Sequence, residues 1–455
     1  MSNLTKIILG ICFLCYCMFS SDVKNRFSSD ESVNSCESKA RKGDAEAQYN
    51  LGKCYGSGTG VEKNESKAVE WYRKAAEQGL PEAQGYLGDA YFFGAGVEKN
   101  ESKAVEWYRK AAEQGDVVAQ YNLGACYFLG IGVEKNDSKA VEWYRKAAEQ
   151  GYADAELNLG FCYCDGTGVE KNESKAVEWY RKAAEQGFAT AQFCLGNAYR
   201  LGTGVEKNES KAVEWIRKAA EQGLAEAQFY LGNAYDFGIS VEKNKSKAVE
   251  WYRKAAEQGH ATAQSNLGDA YFFGVGVEKN ESKAVEWYRK AAEQGLAEAQ
   301  FCLGYAYFFG AGIEKNESKA VEWYRKAAEQ GLPKAQFYLG KAYDLGTGVE
   351  KNESEAFKWF RKAAEQGLPE AQYDLGEAYL SGAGIEKNES KAVEWYRKAA
   401  EQGYAKAQLY LGACYFDGTG VEKNKSKAVK WIRKAAEQGN KLAIDALKKI
   451  QQSPN

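Results

Sequence analysis

The sequence predicts an all-α solenoid of eleven 36-residue helical hairpins in tandem, with a half-repeat cap at each end. Three observations carry this. The eleven tryptophans stand at 71, 107, 143, 179, 215, 251, 287, 323, 359, 395 and 431, every step 36 residues. Forty-three of the 47 glycines fall at four fixed places in a unit counted from Asp44, and Ser240 takes the one remaining place. Within each unit the apolar residues recur at helical spacing. Such self-similarity marks stacked repeats, and it replaces the three globular domains that 455 residues suggest at roughly 150 per domain.

The elements follow in order. An apolar run at 7–19 is too short for a spanning helix, which needs about 20 residues, so residues 1–21 are expected to be a secretory signal peptide. Cys12, Cys15 and Cys17 raise a lipoprotein, but Ile11 and Tyr16 are bulky where a small residue should precede the modified cysteine. Residues 22–43 form a linker and a capping half-repeat in which Ser35 and Cys36 replace an aromatic pair. The repeats occupy 44–439, opening at Asp44, Leu80, Asp116, Tyr152, Phe188, Leu224, His260, Leu296, Leu332, Leu368 and Tyr404.

In the first unit Ala47, Leu51, Cys54 and Tyr55 mark one face of a first helix. Pro81, Pro333 and Pro369 sit at position 2 of their units, where a first-turn proline costs no hydrogen bond. A Gly-x-Gly loop follows, and Asn64 is the expected N-cap of a second helix. Ala68, Trp71, Tyr72, Ala75 and Ala76 line its apolar face, and Gly79 ends it. One hairpin cannot bury its own apolar face, so neighbours stack, with each tryptophan expected to fill a junction. Residues 440–455 hold a last capping helix and a tail. Ala443 and Leu447 are kept, and Lys441, Asp445, Lys448 and Lys449 give it a wet outer face.

The pattern AEAQ-x-x-LG-x-x-Y-x-x-G-x-G-V-EKNESKAVEWYRKAAEQG resembles the Sel-one-like repeat (SLR), a cousin of the tetratricopeptide repeat, in all eleven copies. The resemblance implies a right-handed α/α superhelix acting as an adaptor for other proteins. Relatives serve in endoplasmic-reticulum quality control, bacterial signalling and host-cell entry or trafficking by intracellular bacteria. A cysteine-rich secreted branch ties adjacent helices through cysteines eight residues apart; the matching slots here are Ala76 and Gln84, so that bridge is missing.

The eight cysteines after the signal are therefore expected to be free. Cys54, Cys126, Cys162 and Cys414 share position 11, where the other units have Ala, so cysteine serves there as a small hydrophobe. Cys162 and Cys164 form a C-x-C pair with no further ligand at metal spacing. An exported chain of unpaired thiols is expected to end in a reducing place, such as a host cytosol. Each unit also carries N-x-S, beginning with Asn64. Two readings stay open: a glycosylation acceptor in a eukaryotic secretory pathway, or simply a helix cap. The register favours the cap.

Function is read from differences among the units. They concentrate in the first helix at positions 3, 6, 7, 10, 13 and 14; positions 3, 7, 10 and 14 form one stripe. In stacked hairpins that helix lines the concave side. Tyr86, Phe93, Phe161, Tyr230, Phe237, Phe273, Tyr305, Phe309, Tyr338 and Tyr410 on this stripe are the candidate binding residues for a protein or peptide ligand. With 61 Lys+Arg against 63 Asp+Glu, a nucleic-acid partner is not expected.

Catalysis is not expected either. The single histidine, His260, opens a unit where others have Leu, Tyr, Phe or Asp, so it reads as an inter-repeat contact. Carboxylate pairs such as Glu62 and Glu65 lie among lysines on a solvated face. Some relatives have been labelled β-lactam hydrolases, but no serine or cysteine here stands beside an evident base. The expectation is a monomeric scaffold, free of metal and cofactor and without a membrane span once the signal is removed. It is exported to a periplasm, the exterior or a host cell. An N-glycosylated secretory-pathway adaptor is the alternative.

Overall fold

The structure, a computed structural model, describes residues 30–452; residues 1–21, read as an export signal, lie outside them. The described residues form 24 helices and no strands. Helix α1 (Asp30–Arg41) is followed by eleven pairs, from α2 (Ala45–Ser57) with α3 (Glu65–Glu77) to α22 (Ala405–Asp417) with α23 (Lys425–Glu437), and then by α24 (Lys441–Gln452). The chain is an all-α solenoid of tandem hairpins. Its contacts divide it into two compact units, one ending at Ala227 and the other beginning at Gln228.

Each helix is bounded by the chemistry its sequence supplies. Asp44 caps α2 by accepting from the Ala47 amide at 2.7 Å, and Pro81 occupies the first turn of its helix. Gly58 ends α2 with φ of 75°, and its N–H returns to the Cys54 carbonyl. Asn64 then closes the loop: its amide donates to the Tyr55 carbonyl at 2.8 Å, and its side chain accepts from the Lys67 amide at 2.9 Å. The same cap stands at the head of every second helix, so the register of N-x-S has a structural cause. Ser240, where the sixth unit departs from glycine, holds φ of 52°, alone among described non-glycine residues in the left-handed region.

One expectation about packing needs correction. The tryptophans fill the junctions only in part; they pack half-buried against the core, and each carries a lysine on its ring, as Lys110 lies 4.0 Å from the Trp107 centroid. The deeply buried ring is the residue after it. Tyr108 and Tyr396 are fully enclosed. The glycine at position 9 serves packing: a Cβ on Gly88 would stand 2.6 Å from the Tyr108 ring, so glycine makes the notch that receives it. In two units isoleucine fills the notch instead, Ile216 against Gly196 and Ile432 against Gly412.

A buried relay of side-chain amides joins the units. Gln84 donates to the Ala76 carbonyl of the preceding unit at 3.1 Å and accepts from Gln114 of its own unit at 2.8 Å. The arrangement recurs along the chain, as at Gln120, Gln264, Gln336 and Gln408. At the ends, Val33, Cys36 and Ala40 of α1 pack on Ala47, Leu51 and Cys54, and Ala443 and Leu447 of α24 pack on Ile432 and Ala435. The outer face of α24 is less polar than expected, because Leu442 and Ile444 are exposed on it.

Candidate protein-binding surface

The stripe on the first helices is built in two tiers. The last residue of the helix, position 14, stands free of the packing. Phe93 is 40% exposed, Phe309 54%, and Phe237 and Phe273 67% each. Leu129, Leu201 and Leu345 share that place and are exposed too; a search confined to aromatic residues missed them, although their position in the unit was the signal.

Positions 7 and 10 lie a layer deeper. Tyr86 packs its ring against Tyr49 and Tyr72, Phe161 against Tyr180, Tyr230 against Phe229, and Tyr410 against Tyr373. These rings are partly exposed floors held by neighbouring aromatics. In the second compact unit Tyr305 lies 4.4 Å from Phe309 and 6.4 Å from Tyr338 and from Phe272, itself 5.0 Å from Phe273. Four of the ten candidate residues therefore join in one ring platform there.

Polar groups of the same stripe pair with the buried tyrosines, a relation not read from the sequence. The Tyr108 hydroxyl donates to Asp89 at 2.7 Å, Tyr288 to Asp269 at 2.7 Å, Tyr252 to Asn233 at 2.7 Å, and Tyr396 to Glu377. Burial pushes the Asp89 carboxyl up to about 7, against the pull of the Tyr108 hydrogen bond. Burial likewise raises Asp269, and Asp374 is raised despite Lys341 at 2.7 Å.

The eight described cysteines are free thiols, and burial pushes Cys162, Cys194 and Cys302 up to about 12. They are therefore protonated and poorly nucleophilic at neutral pH. His260 caps its helix by accepting from the Ala263 amide at 3.2 Å and stacks at 4.6 Å on Phe229 of the preceding repeat, the inter-repeat contact its position implied. Among the described residues no three His, Cys, Asp or Glu side chains gather as metal ligands, and no helix is long and apolar enough to cross a membrane.

A tandem α-solenoid with an aromatic first-helix stripe defines the class of helical repeat proteins. The Sel1 repeat sequence model matches residues 45–80 and then every 36 residues through 405–440, eleven times in all. The chain belongs to the Sel1 repeat family. Among solved structures it is similar to a protective antigen of uropathogenic Escherichia coli that displays an SLR fold, with 41% identity, a TM-score of 0.87, and coverage of 92% of this chain and 90% of that one. A Sel1 repeat protein from Oxalobacter formigenes shares 37% identity, with a TM-score of 0.53 over 68% of this chain and 89% of that one. No curated protein sequence matches the chain. Sel1 repeat proteins generally act in protein–protein interaction, and the scaffold is generally non-catalytic.

Proposed function

We propose that this chain is an exported, non-catalytic scaffold that holds a protein or an extended peptide against the first-helix stripe. The observation that carries the reading is the row of bare apolar side chains ending the first helices, Phe237, Phe273 and Phe309 above all. A soluble chain seldom leaves a rank of large apolar groups in water without a partner to cover it. Export rests on the apolar run at 7–19. Delivery toward a host is supported by the likeness to a protective antigen of a uropathogen and by the eight free thiols, which suit a reducing destination.

Affinity capture from the native source tests the reading, comparing the wild type with Tyr230→Ala/Phe237→Ala/Phe273→Ala/Tyr305→Ala. The expected result is a defined protein retained by the wild type and lost with the variant while helical content is unchanged. Equal capture by both removes the stripe from the function.

A further inference from the structure

The eighth repeat differs from its neighbours in one atom's surroundings. Tyr324 is 1% exposed, and its hydroxyl is a buried side-chain group with no hydrogen-bond partner. In the second, sixth and seventh units the equivalent hydroxyl donates to the residue at position 10, Asp89, Asn233 or Asp269. In the eighth unit position 10 is Tyr305, and the groups within electrostatic reach of the Tyr324 hydroxyl are Tyr338, Tyr305 and Cys302. The unpaired donor thus lies under the ring platform of Phe273, Tyr305, Phe309 and Tyr338. A donor so enclosed costs of order 1–3 kcal/mol unless something supplies an acceptor.

The charge around it has a sign. The eleven first helices, counted from position 1 to 14, carry seventeen carboxylates against five bases, although the whole chain is balanced to −2. Near the platform stand Asp269, Glu298 and Glu370 against Lys334, since Lys341 is engaged by Asp374 at 2.7 Å. One Glu370 oxygen is buried with no donor.

We propose that the seventh to tenth repeats hold an extended polypeptide segment in which lysine or arginine alternates with large apolar residues. The segment lies across Phe273, Tyr305, Phe309 and Tyr338, above the buried Tyr324 hydroxyl. The proposal rests on the scaffold reading and names its partner's chemistry. Apolar side chains cover the exposed rings, and the cationic ones meet Asp269, Glu298 and Glu370.

Fluorescence anisotropy on the full chain tests it with three labelled synthetic peptides of alternating Leu/Phe and polar residues, the polar set being all Lys, all Gln or all Glu. The lysine peptide is expected to bind at least about tenfold more tightly than the glutamate peptide, with the difference shrinking in high salt. Tyr305→Ala/Phe309→Ser is expected to abolish binding; Ala125 and Ser57 occupy the same places in other units, so the fold tolerates both. Tyr324→Phe, which removes only a buried hydroxyl, is expected to leave binding within about twofold without loss of thermal stability, because Phe360 already serves at that position in the ninth unit.

Equal binding of the acidic peptide, absence of binding by all three, or indifference to Tyr305→Ala/Phe309→Ser each overturns the assignment. None of those outcomes touches the scaffold reading, which falls only if capture from the native source ignores the aromatic stripe.

Discussion

Glu156 stands in the relay of side-chain amides where the other repeats have glutamine. It is 3% exposed and accepts from Gln186 at 2.8 Å, but as a carboxylate it has no hydrogen to give the Ala148 carbonyl, as Gln120 gives Ala112. Burial raises its pKa above the usual carboxylate range, against the pull of Gln186 and Lys182. A raised carboxyl pKa means stability that is present at low pH and lost as pH climbs from the unfolded value, about 4.3, through the folded one. Glu156→Gln should therefore stabilise the protein at neutral pH by about 1 kcal/mol, with the gain vanishing toward pH 4. Urea unfolding at pH 7 and pH 4 measures both; a pH-independent gain would show that ionisation is not the cause. One glutamine of the pair recurs in every unit and the other in all but the fourth, so the recurrence was legible, but not their partnership. The two lie thirty residues apart, and only the stacked geometry brings them together.

At the scale of the helix, most of the architecture could be read directly. Asparagine caps, αL glycines and first-turn prolines act within a few residues of themselves, so spacing alone places them. What spacing could not show was which aromatic goes inward: Trp107 and Tyr108 are adjacent, and a rotation of about 100° per residue decides which faces the next helix. The sequon is a case where local chemistry yields a test. Asn136 accepts from the Lys139 amide at 2.9 Å, whereas Ser138 is exposed. Asn136→Ala should cost about 1 kcal/mol in thermal or chemical unfolding. Ser138→Ala, which also removes the sequon, should leave stability within about 0.5 kcal/mol. A cap-only role further expects native material to keep its intact mass through glycosidase treatment; a mass drop would assign the asparagines to glycans as well.

For the whole molecule, the period of 36 is a mechanical unit as well as a sequence one. The repeats share the glycine notch and its aliphatic or aromatic filling, and the amide relay recurs between them except at Glu156, so removing a complete repeat should rejoin like with like. Deleting residues 117–152 is expected to preserve helicity per residue in circular dichroism, with a cooperative transition shifted down by no more than about 5 °C. Deleting 117–134, half a repeat, places two second helices in succession and should abolish that transition. The candidate surface was legible as a position but not as a depth: Phe273 proved exposed and Tyr86 a packed floor, since the sequence does not reveal what stands over a ring.

The near-identity of the second helices carries a consequence for how the chain reaches this structure. A first helix finds almost the same notch-filling ring, amide donor and alanine face on any of them, so contact energy alone scarcely distinguishes its own hairpin partner from one a repeat away. Correct pairing is enforced by the seven-residue tether between the two helices, as from 58 to 64 in the first unit. Hairpins emerging one at a time during synthesis always meet the tethered partner first. A denatured chain refolding as a whole, or two chains refolding together at high concentration, meets many near-equivalent partners at once, and slipped pairings and exchanged hairpins are the traps it must escape.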